Sequence, residues 1–253
     1  MSKNSYILMV FEGQRTEPQI LENIKKYFFK KSDKTIIKAV YGTVIYKLYQ
    51  EFFPKGIFDE DLELFPLLKE MANSDELKDI KRNQVSQIYF FFDYDGHASN
   101  ADDEKLHKML ELFNNETENG KLYVSYPMVE AIKHLKEGID FKDTIEASTE
   151  NYKQIVNKNC DEDLINLNWL KEKHWLKIIQ EHSKKANFIV NDAFSFPTEI
   201  IEQLYIFHNQ KQKFIEPHNK VAVLASFPLF LFDYYGVEKF KKVECLESVT
   251  KKE

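Results

Sequence analysis

The segment Gln87–His97, with the sequence QIYFFFDYDGH, constrains the fold of this chain more than any other stretch. Ile88–Phe92 is a continuous apolar and aromatic run, which predicts a strand buried on both faces of a parallel α/β sheet. The run ends at Asp93, and Asp95 follows two residues later. Because alternate residues of an extended backbone share a side, we expect both carboxylates together at the carboxyl end of this strand, where open α/β sheets place their ligands.

Two carboxylates held this close repel each other unless a proton or a cation lies between them. A divalent cation that prefers oxygen ligands, most simply Mg²⁺, would neutralise the pair. Asp and Gly are also frequent in turns, so the tetrapeptide Asp-Tyr-Asp-Gly suits a turn without chemistry equally well. The choice between these interpretations depends on whether other acidic residues reach the same edge of the sheet.

Three further acidic residues follow predicted strands. Tyr6–Phe11 predicts a second buried strand that ends at Glu12, and Glu17 lies in the first turn of the helix that follows, for which Thr16 is the expected N-cap. Lys121–Tyr126 predicts another strand, after which Glu130 begins a predicted helix. Because the carboxyl ends of parallel strands meet along one edge, we expect Glu12, Glu17 and Glu130 to join the aspartates. Together these acids would supply enough oxygen ligands for two metal ions.

The order of the predicted elements indicates a sheet domain followed by a helical region. Residues 1–138 alternate strands with helices, with Thr35–Tyr41 returning as a strand parallel to the first. They predict an α/β domain with a helical insertion at about 43–84. Residues 139–253 have mostly helical periodicity and predict a C-terminal helical lobe, although Phe188–Val190 would suit a short strand.

The composition excludes several classes of protein. The chain has 253 residues, of which 43% are hydrophobic, so it can bury a sizeable core. No apolar run reaches the roughly 20 residues of a transmembrane helix, and the N-terminal apolar segment is short for a signal sequence. We therefore expect a cytoplasmic protein that is not associated with a membrane. Cys160 and Cys245 lack the spacing of a zinc site or a disulfide framework. With a net charge of −6, nucleic acid would have to be bound through local basic residues, a metal or a partner.

Two acidic motifs resemble a known family. Glu12-Gly13 after the first strand and Asp93-Tyr94-Asp95 after a later one resemble the TOPRIM fold, which topoisomerases, bacterial primases, a ribosomal RNA maturase and the overcoming-lysogenization-defect nucleases share. Thr16-Glu17 and the acid of SYPMVEA, Glu130, look more like the nuclease branch found in phage-defence systems. The resemblance covers roughly residues 5–135 and implies a TOPRIM-like Rossmannoid parallel sheet flanked by helices.

The resemblance also implies an activity. It is the hydrolysis of phosphodiester bonds in DNA or RNA with Mg²⁺ or Mn²⁺, in which Glu12, Asp93 and Asp95 are catalytic and Glu17 and Glu130 are further metal ligands. Relatives of this type act as toxic effectors of abortive infection beside an ABC-type ATPase. This chain has no GxxxxGK[ST] phosphate loop, so its ATPase would be a separate subunit. Association of the chain into a homo-oligomer stays open.

Three residues near the acids are candidates for substrate contact. Arg15 suits bidentate phosphate recognition, although it equally suits a solvated turn. His97 follows the Asp-Tyr-Asp-Gly segment, and Lys133 follows Glu130. The nuclease branch often has a lysine or serine near its metals, for which Ser125 and Lys133 are candidates.

Two alternative functions remain open. FFFDYDG resembles the nucleophile motif of haloacid-dehalogenase-like phosphatases, in which Asp93 would attack a phosphoryl group and Asp95 would be the acid/base, with one Mg²⁺. That motif normally lies near the start of its domain and is followed by Thr or Ser, whereas here it comes late and precedes His97. It also leaves Glu12 without a role. In the second alternative the acids cap helices, and the chain is a non-catalytic module that binds a partner through its helical region.

Overall fold

The computed structural model describes residues 5–29, 35–41, 45–59, 62–71, 77–94, 102–147 and 151–241. Within these ranges a five-stranded sheet has the strand order β2-β1-β3-β5-β4. Strand β1 runs parallel to both of its neighbours, and β4 runs antiparallel to β5. The predicted α/β class, with a mostly parallel sheet flanked by helices, is confirmed. The strands are β1 (Ser5–Phe11), β2 (Thr35–Tyr41), β3 (Val85–Asp93), β4 (Asn114–Asn115) and β5 (Gly120–Ser125).

The two apolar runs of the sequence form the middle of this sheet. Ile7–Phe11 of β1 and Ile88–Phe92 of β3 are buried throughout, as expected for strands that are covered on both faces. The strands are paired so that Phe11 lies opposite Phe91. The predicted strand at Ile88–Phe92 is confirmed, and it extends one residue further than predicted, so that Asp93 ends the strand instead of following it.

The helices beside the sheet differ from the prediction mainly at their ends. Thr16 is the first residue of α1 and not its cap, and Arg15 at the cap position makes no side-chain hydrogen bond to the helix. The helix that begins at Asp103 ends at Leu112, because the chain then forms β4. Asp102 caps it by accepting hydrogen bonds from two backbone N–H groups. These helices are α1 (Thr16–Tyr27), α2 (Ile45–Phe52), α3 (Leu64–Met71) and α4 (Asp103–Leu112).

The described residues fall into two compact units. The first takes in those between 5 and 92 together with 102–123, and the second takes in Asp93, Tyr94 and those between 124 and 241. The predicted domain boundary after residue 138 stays a prediction, because compactness alone does not show which segment folds independently.

The second unit is mostly helical. Its short strands β6 (Ile145–Glu146) and β7 (Val221–Ala222) pair antiparallel. Phe188–Val190 does not form the short strand suggested by its sequence, because the buried helical spacing of α7 continues through Ile189. The helices are α5 (Tyr152–Asn159), α6 (Glu162–Ile165), α7 (Glu172–Asn191), α8 (Gln203–Gln210), α9 (Glu216–His218) and α10 (Ser226–Tyr235).

The core of the second unit is formed where α10 packs on α7. Trp175 and Ile179 of α7 are fully buried, and α10 is buried continuously from Ser226 to Phe232, as expected for a helix that is apolar on every side. Among the helices described here, none combines the length and the apolar character needed to cross a membrane.

Candidate metal centre

Asp93 is held at the end of β3 by the backbone that follows it. The N–H of Tyr94 donates a hydrogen bond of 2.8 Å to the carbonyl oxygen of Ser125. The ring of Tyr94 packs against that of Tyr126, with 5.4 Å between their centroids. The Asp93 side chain is half-buried. A strand end fixed in this way limits the positions that the Asp93 carboxylate can take.

Glu130 lies in a short 3₁₀ helix, Val129–Lys133, instead of the α-helix predicted there. Just before it, Tyr126 and Leu224 exchange backbone hydrogen bonds of 2.7 and 2.9 Å, which fix the chain leaving β5. The Glu130 side chain is only 6% exposed, and its Oε1 lies 3.0 Å from Nζ of Lys153. A carboxylate buried this deeply needs an opposite charge, and Lys153 supplies it.

Tyr152 is buried in the neighbourhood of these two acids. Tyr152 is fully buried, and its Oη lies 3.0 Å from Nδ1 of His134. Burial raises the pKa of Tyr152 well above its ordinary value near 10, and the carboxylates of Glu146, Glu130 and Asp93 raise it further. Asp93 and Glu130 thus both add negative charge to the surroundings of Tyr152.

Tyr152, Glu146 and Lys153 were not among the sequence-predicted site residues. Tyr152 and Lys153 open α5, and Glu146 lies in β6, so none of the three follows a strand of the main sheet. In the sequence, an acid is a candidate ligand when it follows a predicted strand, and these three residues do not. No local pattern in the sequence distinguishes this tyrosine or this lysine from the many others.

The glutamates of the first unit lie around the turn between β1 and α1. Glu12 is half-buried and directly follows β1, whereas Arg15 is exposed. Glu17 is buried, and its Oε1 accepts a hydrogen bond of 2.9 Å from the N–H of Gly13. This bond fixes the turn. The role of Glu17 as a metal ligand and that of Arg15 as a phosphate contact stay predictions.

The remaining predicted residues fall into two groups. Asp95 and His97 lie outside the described residues. Ser125 and Lys133 are buried and point at the helical region: Oγ of Ser125 lies 2.8 Å from Oγ of Ser226, and Nζ of Lys133 lies 3.5 Å from the carbonyl oxygen of Ile165. Substrate contact by Lys133 stays a prediction.

The acids of the second unit carry oxygen ligands of the kind that a hard divalent ion prefers. Within the ranges given above, no three His, Cys, Asp or Glu side chains are grouped in a way that could hold a metal. Asp93 and Glu130 both add negative charge around Tyr152, and the Lys153 ammonium already pairs with Glu130. Mg²⁺ commonly takes only one or two protein carboxylates and completes its shell with water and phosphate. Binding of Mg²⁺ or Mn²⁺ by these acids stays a prediction.

A cavity of about 920 Å³ opens in the second unit beside His134, lined by residues 134–141 and 143–146 with Asn159, Lys177 and Glu181. Five of its lining residues carry carboxylates and two are lysines, so it repels phosphate. Burial, with Lys185 nearby, lowers the pKa of His134 to about 4, so this histidine is neutral at pH 7. The cavity is therefore not where the backbone of a nucleic acid would bind.

Lys185 holds the backbone of residues 141–144, a segment that forms part of the cavity wall. Its ammonium group donates hydrogen bonds to three backbone carbonyl oxygens, those of Phe141, Lys142 and Thr144. Burial lowers the pKa of Lys185 to about 7, against the opposing attraction of Asp143 and Asp140. The three carbonyl acceptors match the three N–H groups of an ammonium, which favours the protonated form.

Comparison with known proteins leaves the site to be interpreted from its own geometry. No family model, no curated protein and no solved structure matches this chain. Of the predicted acids, Asp93 and Glu130 belong to the second unit and both raise the pKa of Tyr152, and Glu12 and Glu17 lie at the β1–α1 turn of the first.

Proposed function

We propose that this chain is a metal-dependent nuclease that hydrolyses phosphodiester bonds in DNA or RNA with Mg²⁺ or Mn²⁺. The observation that supports the proposal is that Asp93 and Glu130 follow two neighbouring strands of the mostly parallel sheet. These acids come from the end of β3 and from the segment after β5, the positions at which a parallel sheet gathers its ligands.

Asp93 and Glu130 are the proposed ligands with described positions. Asp95 shares a side of the strand with Asp93 in the sequence prediction and is proposed as a further ligand. Glu12 follows β1, the parallel neighbour of β3, and is proposed as a ligand or as the general base, with Glu17 as an additional ligand. This set repeats the Glu and Asp-x-Asp positions of the TOPRIM-like resemblance.

Each group of the chain has a defined task in this proposal. A bound divalent ion supplies positive charge that stabilises the phosphorane-like transition state and lowers the pKa of a bound water. Asp93 and Glu130 hold their oxygens in place through the strand end and the 3₁₀ helix. Tyr152 is protonated at neutral pH, since its ordinary pKa lies near 10 and burial raises it further, so it stays a hydrogen-bond donor. The TOPRIM-like resemblance would make Glu12 the general base when it is not a ligand.

We further propose that the nuclease is an anti-phage effector controlled by a separate ABC-type ATPase subunit. The TOPRIM-like motifs at Glu12 and Asp93 support this role, since relatives with such motifs work beside an ATPase. The net charge of −6 is consistent with it, because a chain of this charge binds nucleic acid through local basic residues, a metal or a partner.

The experiment is a cleavage assay on plasmid DNA and on total RNA with Mg²⁺, Mn²⁺ or EDTA. Wild type should cleave one substrate only with the metal, and Asp93→Asn and Glu130→Gln should reduce the rate at least about 100-fold. The matched controls Asp79→Asn and Glu238→Gln change exposed acids and should leave the rate unchanged. Loss of phosphatase activity in Asp93→Asn with full activity in Glu12→Ala would favour the phosphatase. No activity on either substrate with either metal would contradict the nuclease.

A further inference from the structure

The cavity beside His134 has a wall that carries more negative than positive charge. It measures about 920 Å³ and lies within the second unit. Of the described residues in its wall, two are lysines, and one of them, Lys177, is already engaged: its Nζ lies 3.1 Å from Oδ2 of Asp161, which does not line the cavity. Little positive charge is left for the cavity, so its interior favours a cationic ligand. The acids of the wall are Glu137, Asp140, Asp143, Glu146 and Glu181.

Three of these acids have lysine neighbours at the surface. Nζ of Lys142 lies 3.9 Å from Asp140 and 3.7 Å from Asp143, and Nζ of Lys184 lies 3.4 Å from Glu181. Ion pairs between partly exposed side chains contribute little free energy, because water solvates both charges. A ligand with more than one positive charge can therefore take the place of these lysines.

Glu146 differs from the other three because it has no close partner. It is half-buried, and in the described part of the chain no cation lies within ion-pair distance of its carboxylate and no group donates a hydrogen bond to it. Burial raises the pKa of this carboxyl group, and the attraction of the Lys220 ammonium opposes the rise. A cation placed against Glu146 would stabilise its ionised form.

His134 contributes a nearly buried polar group to the same wall. Only 6% of the residue is exposed, and Nδ1 of its ring lies 3.0 Å from Oη of Tyr152. Nε2 has no hydrogen-bond partner among the residues that the structure describes. The ring is neutral at pH 7, so with its hydrogen on Nδ1 it offers the lone pair of Nε2 to an N–H group. A nearly buried acceptor without a protein partner points to a ligand that enters from the cavity.

The wall suits an extended cation better than a single ion. Its acids are too dispersed for a metal, because no three His, Cys, Asp or Glu side chains in the described ranges are grouped to hold one. The wall also contains apolar side chains, and Ile139 among them is 56% exposed. Dispersed negative charge on a partly apolar wall matches a molecule whose ammonium groups are separated by methylene segments. The apolar residues are Leu135, Ile139, Phe141 and Ile145.

We propose that this cavity binds an aliphatic polyamine. One ammonium group pairs with Glu146, an N–H group donates to Nε2 of His134, further ammonium groups pair with the exposed acids, and the methylene segments lie along Ile139. The inference goes beyond the proposed nuclease and does not depend on it, because none of the described acids assigned to the nuclease lines this cavity.

The test is a calorimetric titration of the full chain with spermidine at low salt. Wild type should bind spermidine, and Glu146→Gln, which removes the charge and keeps the shape of the side chain, should raise the Kd at least about tenfold. Spermidine should also raise the Tm of wild type more than that of Glu146→Gln. The matched control Glu199→Gln changes an exposed acid of the same unit outside the cavity and should bind as wild type does.

Two comparisons separate a polyamine site from a merely acidic surface. Ile139→Lys adds a competing ammonium at an exposed position of the wall, and it should raise the Kd about three- to tenfold even if Glu146→Gln fails to fold. Putrescine and Mg²⁺ carry the same charge, and putrescine should bind more tightly because its methylene groups contact the apolar wall. Equal binding of these two, no binding of spermidine, or an unchanged Kd in the folded variants would overturn the inference. Binding of tetralysine without binding of spermidine would also overturn it, in favour of a surface for a basic peptide.

Discussion

The N–H of Gly13 donates a hydrogen bond to Oε1 of Glu17 at 2.9 Å, and the Glu17 carboxylate covers the Cα of that glycine. A methyl group on Gly13 would overlap both carboxylate oxygens. The absence of a side chain at Gly13 leaves room for the Glu17 carboxylate beside the turn that follows β1. This hydrogen bond connects Glu12-Gly13 with Thr16-Glu17, the two parts of the acidic motif after β1.

Gly13→Ala should destabilise the protein by about 1–3 kcal/mol, because the added methyl group displaces a buried carboxylate. In a Glu17→Ala background the obstacle is gone, so the same change should cost less than about 1 kcal/mol. Urea unfolding of the four proteins in this double-mutant cycle measures the coupling. Gln14→Ala, at an exposed position of the same turn, is the control. Additive costs would show that the two residues are not coupled.

Stability should fall on mild acidification because of His182. The ring is fully buried, and its Nδ1 accepts a hydrogen bond of 3.1 Å from the N–H of Ala225. Burial and the Lys185 ammonium lower the pKa of His182 to about 3, from an ordinary value of 6.5. Below pH 6.5 the imidazole of His182 is protonated in the unfolded chain but stays neutral in the folded protein. The free energy of unfolding therefore falls by about 1.4 kcal/mol for each pH unit between 6.5 and 3.

This pH dependence can be measured by urea unfolding at pH 7, 6 and 5. His182→Asn keeps an acceptor for the Ala225 N–H and removes the titrating ring, so its stability should fall less steeply than that of wild type. His134, whose pKa is lowered to about 4, still contributes in the variant. His218→Asn, at an exposed position, should follow wild type. Equal slopes for His182→Asn and wild type would contradict the prediction.

Lys185→Met should destabilise the second unit by about 2–4 kcal/mol, because three buried carbonyl oxygens lose their donor. The neighbouring Lys184 is partly exposed and pairs with Glu181, so Lys184→Met should change stability by less than about 1 kcal/mol. Thermal unfolding separates the two, and hydrogen exchange at the amides of 141–146 should rise only in Lys185→Met. Similar stability of the two variants would show that the carbonyl contacts contribute little.

Tyr152→Phe should cost about 1–2 kcal/mol, because Nδ1 of His134 loses its buried partner. The loss should be smaller in a His134→Leu background, in which the hydroxyl has no imidazole to contact. Tyr205→Phe, with 57% of the residue exposed, serves as the control and should be neutral. Denaturant unfolding gives the three values. A neutral Tyr152→Phe would mean that the hydroxyl contributes nothing to folding.

Local sequence patterns predicted the sheet well. The runs at Tyr6–Phe11 and Ile88–Phe92 are long enough and apolar enough to be buried strands in almost any context, and they became β1 and β3. Patterns were less informative about Phe188–Val190, where a β-rich triplet is overridden by the helix around it. The same limit applies at Glu130, where an α-helix was predicted and a 3₁₀ helix is found, because the two kinds of helix begin with similar residues.

The sequence by itself determined the α/β class, the central strands and the acids that end them, because these depend on hydrophobic runs and on the period of an extended chain. Only the tertiary structure decided which groups meet. Lys153 reaches Glu130 from a later helix, and Lys185 reaches the carbonyls of Phe141, Lys142 and Thr144 across some forty residues of sequence. Such contacts are set by how the elements pack, and packing over long sequence separations leaves no periodic pattern in the residues themselves.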